Sequence, residues 1–199
     1  MNPQTLSPEE ALPFLVEAAG RLARHSRAVI ALDGQASAGK TTLAEAFGRA
    51  FPGAAVVHMD DFFLPPEKRT AEYRETMLAN ADIERFRAEL LEPLLRGGDI
   101  AYRPYRFHPV PCFLAPVTIP AACPVVLVEG AYCLHPALWE GYALRLLMTV
   151  SEETQRERIL ARNGEAMLVR FRSEWIPMEN RHIEAHGLRS RCDAVIAVP

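Results

Sequence analysis

Short uninterrupted apolar runs punctuate the chain. Ala28-Val-Ile-Ala-Leu32, Ala54-Ala-Val-Val57, Pro124-Val-Val-Leu-Val128, Leu144 to Val150 and Ala194 to Val198 lack the alternation of a half-exposed strand. Such runs are expected of strands covered on both faces. Between them lie segments of helical period. A helix starts at Ser7-Pro8-Glu9-Glu10, with Ser7 as N-cap and Pro8 at the first helical position, and heads toward His25, with Pro13 disturbing its first turn. Further helices are predicted over Thr41 to Phe51, closed by Pro52-Gly53, and over Ala81 to Leu95, stopped at Gly97-Gly98. Another runs from Ser151 to Arg162 and is broken by Asn163-Gly164; the last covers Glu165 to His186 and is interrupted or tilted at Pro177.

Strands alternating with helices predict an α/β fold: a five-stranded parallel sheet flanked by helices. All 199 residues are expected to form one domain. Ligands in such sheets sit beyond the C-terminal strand ends. Those ends are Asp33-Gly34, His58-Met59-Asp60 and Glu129-Gly130, each followed by polar residues that a core would not select. Residues 101–124 differ, with six prolines and little periodicity. They read as a loop or short edge strands reaching over a pocket.

Composition adds exclusions. A formal charge of −3 argues against a non-specific nucleic-acid binder. No apolar run is long enough for a transmembrane helix, and the acidic, proline-bearing first residues do not read as a signal peptide, so a cytoplasmic location is expected. Cys112, Cys123, Cys133 and Cys192 form no CxxC pair or zinc spacing and read as free thiols.

Gly34-Gln35-Ala36-Ser37-Ala38-Gly39-Lys40-Thr41 matches G-x-x-x-x-G-K-[ST] between a predicted strand and a predicted helix. Its glycines let backbone N–H groups surround phosphate oxygens, and the helix adds the positive end of its dipole. Lys40 is placed to span the β- and γ-phosphates of ATP, Thr41 to hold Mg²⁺, and Thr42 completes the nucleotide-binding run. Past the second strand, VVHMDDFFLPP presents Asp60 and Asp61, either of which suits proton acceptance from an attacking hydroxyl or a capped turn. Phe63 suits a pocket wall. Glu129, at a buried strand tip, needs a metal, a water or a donor. Arg158 and Arg162 share a helical face in a predicted lid over 156–172; with Arg156 and Arg170 they suit closure over phosphates or a solvated face paired with Glu152, Glu153 and Glu157. Tyr102, Tyr105, Arg106 and His108 offer stacking and hydrogen bonding in the Pro-rich stretch.

GQASAGKTTLA, HMDDFF, YRPYRFH, VLVEGAYCLHPAL and the late Arg-bearing segment, in that order, resemble the uridine kinase / phosphoribulokinase family. HMDDFF is also similar to the matching segment of nicotinamide riboside kinases. The resemblance spans nearly the whole chain from Arg27. It implies a P-loop kinase fold and ATP-dependent phosphorylation of a primary hydroxyl, nucleosides first, with nicotinamide riboside, pantothenate or another vitamin-type alcohol as the alternative. By it, Asp60 is the proton acceptor, approaching Mg²⁺ with Thr41 and Glu129, and Tyr105 and His108 resemble the base-recognising pair. Asp61, which stands where uridine kinases usually have a small polar residue, is expected with Phe63 and Arg106 to complete the acceptor-binding set. The chain departs from the family in the spacing of that pair, in having Arg106 where an Asp is usual, and in keeping only Leu78-Ala-Asn-Ala-Asp82 of the aspartate-rich sugar-binding stretch. A nucleotide-binding switch or chaperone-type NTPase is the alternative from another class; no N-K-x-D motif or Cys/His cluster supports it. The expected partners are ATP and a small-molecule acceptor, with neither nucleic acid nor membrane, and a homo-oligomer is left open.

Overall fold

The computed structural model describes residues 3–69, 81–107 and 109–199. His108 and residues 78–80 of the Leu78–Asp82 stretch lie outside them. The main sheet joins β1 (Gln4–Leu6), β2 (Ala28–Gly34), β3 (Ala55–His58), β8 (Val125–Glu129), β9 (Leu144–Val150) and β10 (Ala194–Val198). Its order is β1-β10-β9-β2-β8-β3, and every pairing is parallel. The five expected strands are present. The sheet has six, because Gln4–Leu6 adds an edge beside Ala194–Ile196. Three residues with a single buried side chain carry no usable periodicity.

Along β2, Val29 and Ala31 face one apolar core while Ile30 and Leu32 face the other. That placement between two cores explains the unbroken apolar run. β3 departs from expectation: Ala55, Val56 and His58 are only half-buried, because the strand is a sheet edge.

On one face pack α1 (Pro8–Leu22) and α2 (Lys40–Ala50). The Glu10 carboxylate accepts from the Ser7 N–H at 2.8 Å, fixing the start of α1. Pro13 lies within α1 without ending it. The opposite face is covered by α3, residues 83–95, and by α5, residues 165–185. Asp82 caps α3 by accepting from the Arg85 N–H at 3.0 Å. Both helices contain a π-turn two residues before a proline. Glu92 N–H donates to Arg87 O ahead of Pro93, and Ile176 N–H to Phe171 O ahead of Pro177. The wider turn absorbs the register break that a missing N–H imposes, so Pro177 does not end α5. α4 (Glu152–Asn163), capped by Ser151, ends at Gly164 as expected.

The Pro-rich stretch forms two short antiparallel pairs: β4 (Ile100–Tyr102) with β7 (Val117–Ile119), and β5 (Tyr105–Arg106) with β6 (Cys112–Phe113). All four cysteines are free, and no described helix is long and apolar enough to cross a membrane.

Candidate active site

The neighbouring C-terminal ends of β2, β8 and β3 build the site. Glu129 pairs in register with Leu32 on one side and His58 on the other. The turn after β2 therefore faces the last residue of β8 and the segment after β3. β2 sits where the strand order reverses, the usual place for a crevice in such sheets.

The turn from Gly34 to Gly39 is held by its backbone. Gly34 adopts φ +148°, and a Cβ there would lie 2.0 Å from the Met148 carbonyl oxygen. Because that obstacle is backbone, Gly34→Ala should cost roughly 3 kcal/mol or more. Thermal unfolding should fall by roughly 6–12 °C for a chain of this size. Ser37 and Gly39 also have positive φ, which turns the loop's N–H groups inward.

Behind the loop, buried Asp33 accepts from Gly34 N–H at 2.6 Å, Tyr132 N–H at 3.2 Å and Leu134 N–H at 2.8 Å. Its second oxygen meets His182 Nε2 at 3.2 Å. Asp33 thus ties the loop to the β8 exit and to α5.

Lys40 Nζ donates to the Gly34 and Gln35 carbonyls at 2.7 and 2.9 Å. Thr41 Oγ1 donates to Glu129 Oε1 at 3.1 Å, and His58 Nδ1 lies 2.6 Å from the same oxygen. The Glu129 carboxylate pulls the His58 pKa upward, against the lowering effect of burial. Met59–Phe62 form a 3₁₀ turn. Successive side chains in such a turn diverge. Asp60 lines the cleft with Lys40 and Thr41. Asp60 opens onto the cleft and is exposed, yet partial desolvation by the cleft walls and then the charge of Glu129 hold its carboxyl above the ordinary carboxylate value. Asp61 turns away. It accepts from Tyr102 Oη at 3.3 Å, while its carbonyl accepts from Arg85 Nη2 at 2.7 Å. Burial also raises the Asp61 pKa, with His58, Tyr102 and Arg85 opposing.

Thr41, Glu129 and Asp60 are hard oxygen donors lining one cleft. Among the described residues no three His, Cys, Asp or Glu side chains form a metal cage. The set nevertheless fits Mg²⁺, which takes one or two carboxylates and completes its shell with phosphate and water.

The cleft encloses about 1660 Å³, room for a nucleotide and a second small molecule. Gly39, Lys40, Thr41 and Thr42 line it, with Arg158 and Arg162 at α4 and Phe63 beyond Asp60. Arg158 lines the cleft, and its Nη1 donates to the Ser37 and Ala38 carbonyls at 3.1 and 3.2 Å, bracing the loop. Arg162 donates to its neighbour Asn163 at 2.9 Å. Tyr105 and Arg106 are not among the residues lining this cleft. Tyr105 is buried against Phe113, ring centroids 5.1 Å apart, because alternate residues of a two-residue strand face opposite sides.

Sequence reasoning missed several groups here. Phe107 carries the Arg69 guanidinium at 4.6 Å over its ring, and both line the cleft beside Phe63. Phe171 and Trp175, at the π-turn of α5, supply aromatic wall. Glu179, buried, accepts from Ala36 N–H at 2.7 Å. These partners lie far apart in sequence, so no local pattern announces them.

No family model matches the chain, and no curated protein matches it by sequence. Solved structures do. A candidate fructose transport system kinase from Silicibacter sp. TM1040 superposes with TM-score 0.71 at 23% identity, covering 94% of this chain and 98% of that one. A possible uridine kinase from Bacillus stearothermophilus gives 0.69 at 18%, with the same coverages. D-glycerate 3-kinase from Cryptococcus neoformans gives 0.62 at 12%, covering 95% and 94%. The likeness fits the resemblance to the uridine kinase / phosphoribulokinase family read from the motifs, and at these identities it shows the architecture: this chain has the P-loop kinase fold.

Proposed function

We propose that the chain is an ATP- and Mg²⁺-dependent kinase that phosphorylates a primary hydroxyl of a small molecule, nucleoside-like alcohols first. The observation that carries this reading is the convergence of Lys40, Thr41, Asp60 and Glu129 on one cleft. A nucleotide switch has no need of an aspartate opposite the phosphate loop that, among the described residues, has no hydrogen-bond partner. In the proposed mechanism the loop's N–H groups and Lys40 bind the β- and γ-phosphates and stabilise charge as it spreads in transfer. Thr41, Asp60 and Glu129 would hold Mg²⁺, which neutralises phosphate charge when bound. Asp60 accepts or orients the acceptor's hydroxyl proton, and Arg158 keeps the loop in shape. Phe63, Phe107 and Arg69 wall the acceptor side, and segment 156–172 acts as a lid.

The similar structures differ in the acceptors their names give, which keeps vitamin-type and sugar-type alcohols as the second reading. The test is acceptor-dependent ADP release across nucleosides, nicotinamide riboside, pantothenate, hexoses and glycerate. Release with none of them, alongside steady acceptor-free hydrolysis, overturns the kinase reading.

Asp61 provides a check on the acceptor side. Asp61 turns to Tyr102 and does not line the cleft, so it bears on the acceptor only through its neighbours: Asp61→Asn should raise the acceptor KM by about threefold, with ATP KM unchanged. Equal changes in both constants would remove Asp61 from the acceptor site.

A further inference from the structure

Glu179 is an acid in a cradle built for anions. Its carboxylate Oε2 lies 2.7 Å from the Ala36 N–H, inside the phosphate loop, and the residue lines the same cleft as Lys40 and Asp60. The side chain is 8% exposed, so water screens it little. Two further contacts pin its helix to the loop. Asn180 Oδ1 accepts from Gln35 Nε2 at 2.8 Å, and His182 meets Asp33 at 3.2 Å. Held at Gln35, Ala36 and Asp33 at once, this part of α5 stays beside the loop. A phosphate arriving at the Ala36 N–H meets Glu179 there.

Resting on the nucleotide-binding reading above, we infer that Glu179 is a proton-dependent gate on the phosphate loop. Ionised, it places a second anion beside the nucleotide phosphates and excludes them. Protonated, it still accepts from Ala36 N–H through its carbonyl oxygen while its O–H donates to a phosphate oxygen. Nucleotide binding then takes up one proton from solvent.

The surroundings favour this exchange near neutrality. Burial pushes the Glu179 carboxyl up to about 7, with Asp33 and Asp60 adding to the rise and Lys40 and the Ala36 N–H opposing it. Tyr132 also faces Glu179, and its phenol is pushed upward, so it stays neutral. Because only the protonated form admits phosphate, apparent affinity scales with the protonated fraction. That fraction is nearly complete at pH 6 and about one tenth at pH 8.

The experiment is MgATP binding without acceptor, by calorimetry at pH 6, 7 and 8, for the wild type and Glu179→Gln. Gln reproduces the protonated form, with an acceptor toward Ala36 and a donor toward phosphate. The two should bind alike at pH 6 and differ about tenfold at pH 8, the variant tighter. Titration of ATP, His58 and Asp60 is common to both proteins and cancels in the comparison. Equal affinities at pH 8, or weaker binding by the variant, overturn the gate and leave the kinase reading standing. Should Glu179→Gln not fold, Glu179→Ala, which also removes the ionisable group, replaces it at pH 7.5 in buffers of different ionisation enthalpy: greater proton uptake by the wild type than by the variant supports the gate, and equal uptake overturns it. A wild type that binds no MgATP at any of these pH values overturns both readings.

Discussion

Asp60→Asn should lower kcat by about 10²–10⁴-fold, the usual loss when general-base help is removed. Asn keeps the size and the turn, but cannot take a proton and carries no charge beside the Thr41–Glu129 pair. MgATP binding should persist, because the loop's N–H groups and Lys40 are independent of this side chain. A pH signature should accompany the loss. Asp60 acts when ionised, and its pKa stands above the ordinary carboxylate value, so wild-type activity should rise with pH through that raised value. The acidic limb should disappear in the Asn variant. The comparison with Asp61→Asn is sharp, because the 3₁₀ turn sends the two adjacent carboxylates to different partners. A severe kcat loss in Asp61→Asn with a mild one in Asp60→Asn would exchange the two roles.

Lys40→Ala should reduce phosphoryl transfer by about 10³-fold or more. Removing a single preorganised transition-state donor already costs about 10²–10³, and Lys40 carries a full charge. Here its ammonium rests on the Gly34 and Gln35 carbonyls, within the loop whose phosphates it is proposed to meet. Lys40 is half-exposed, so water can replace those hydrogen bonds and the fold should survive. Unfolding temperature should move by only a few degrees, in contrast to Gly34→Ala, where backbone obstructs the new side chain. Turnover within threefold of wild type would remove Lys40 from the reaction.

The sequence by itself determined the features whose physics is local. Five apolar runs became five parallel strands; in the central β2 and β8, burial on both faces demands uniform side chains, while β3 at the sheet edge is only half-buried. Gly34, Gly39 and Lys40 specified a phosphate loop because only glycine accepts those φ values without strain. Ser7, Ser151 and Gly164 set helix ends through bonds and dihedrals spanning a few residues. Tertiary structure decided the rest. The short strand β1 exists only because Ala194–Ile196 offers an edge. His58 and Thr41 meet at one oxygen of Glu129 because β3, β8 and β2 align in register. Arg158 meets the Ser37 and Ala38 carbonyls, partners the sequence could not name, since a helical position shows a face but not what that face meets. Tyr105 packs on Phe113 while Phe107 lines the cleft, because the pleat that would put both on one face ends at Arg106. Glu179 lies 143 residues from Ala36 in the chain. No spacing rule reaches that far, and only folding delivers that carboxylate to the phosphate loop.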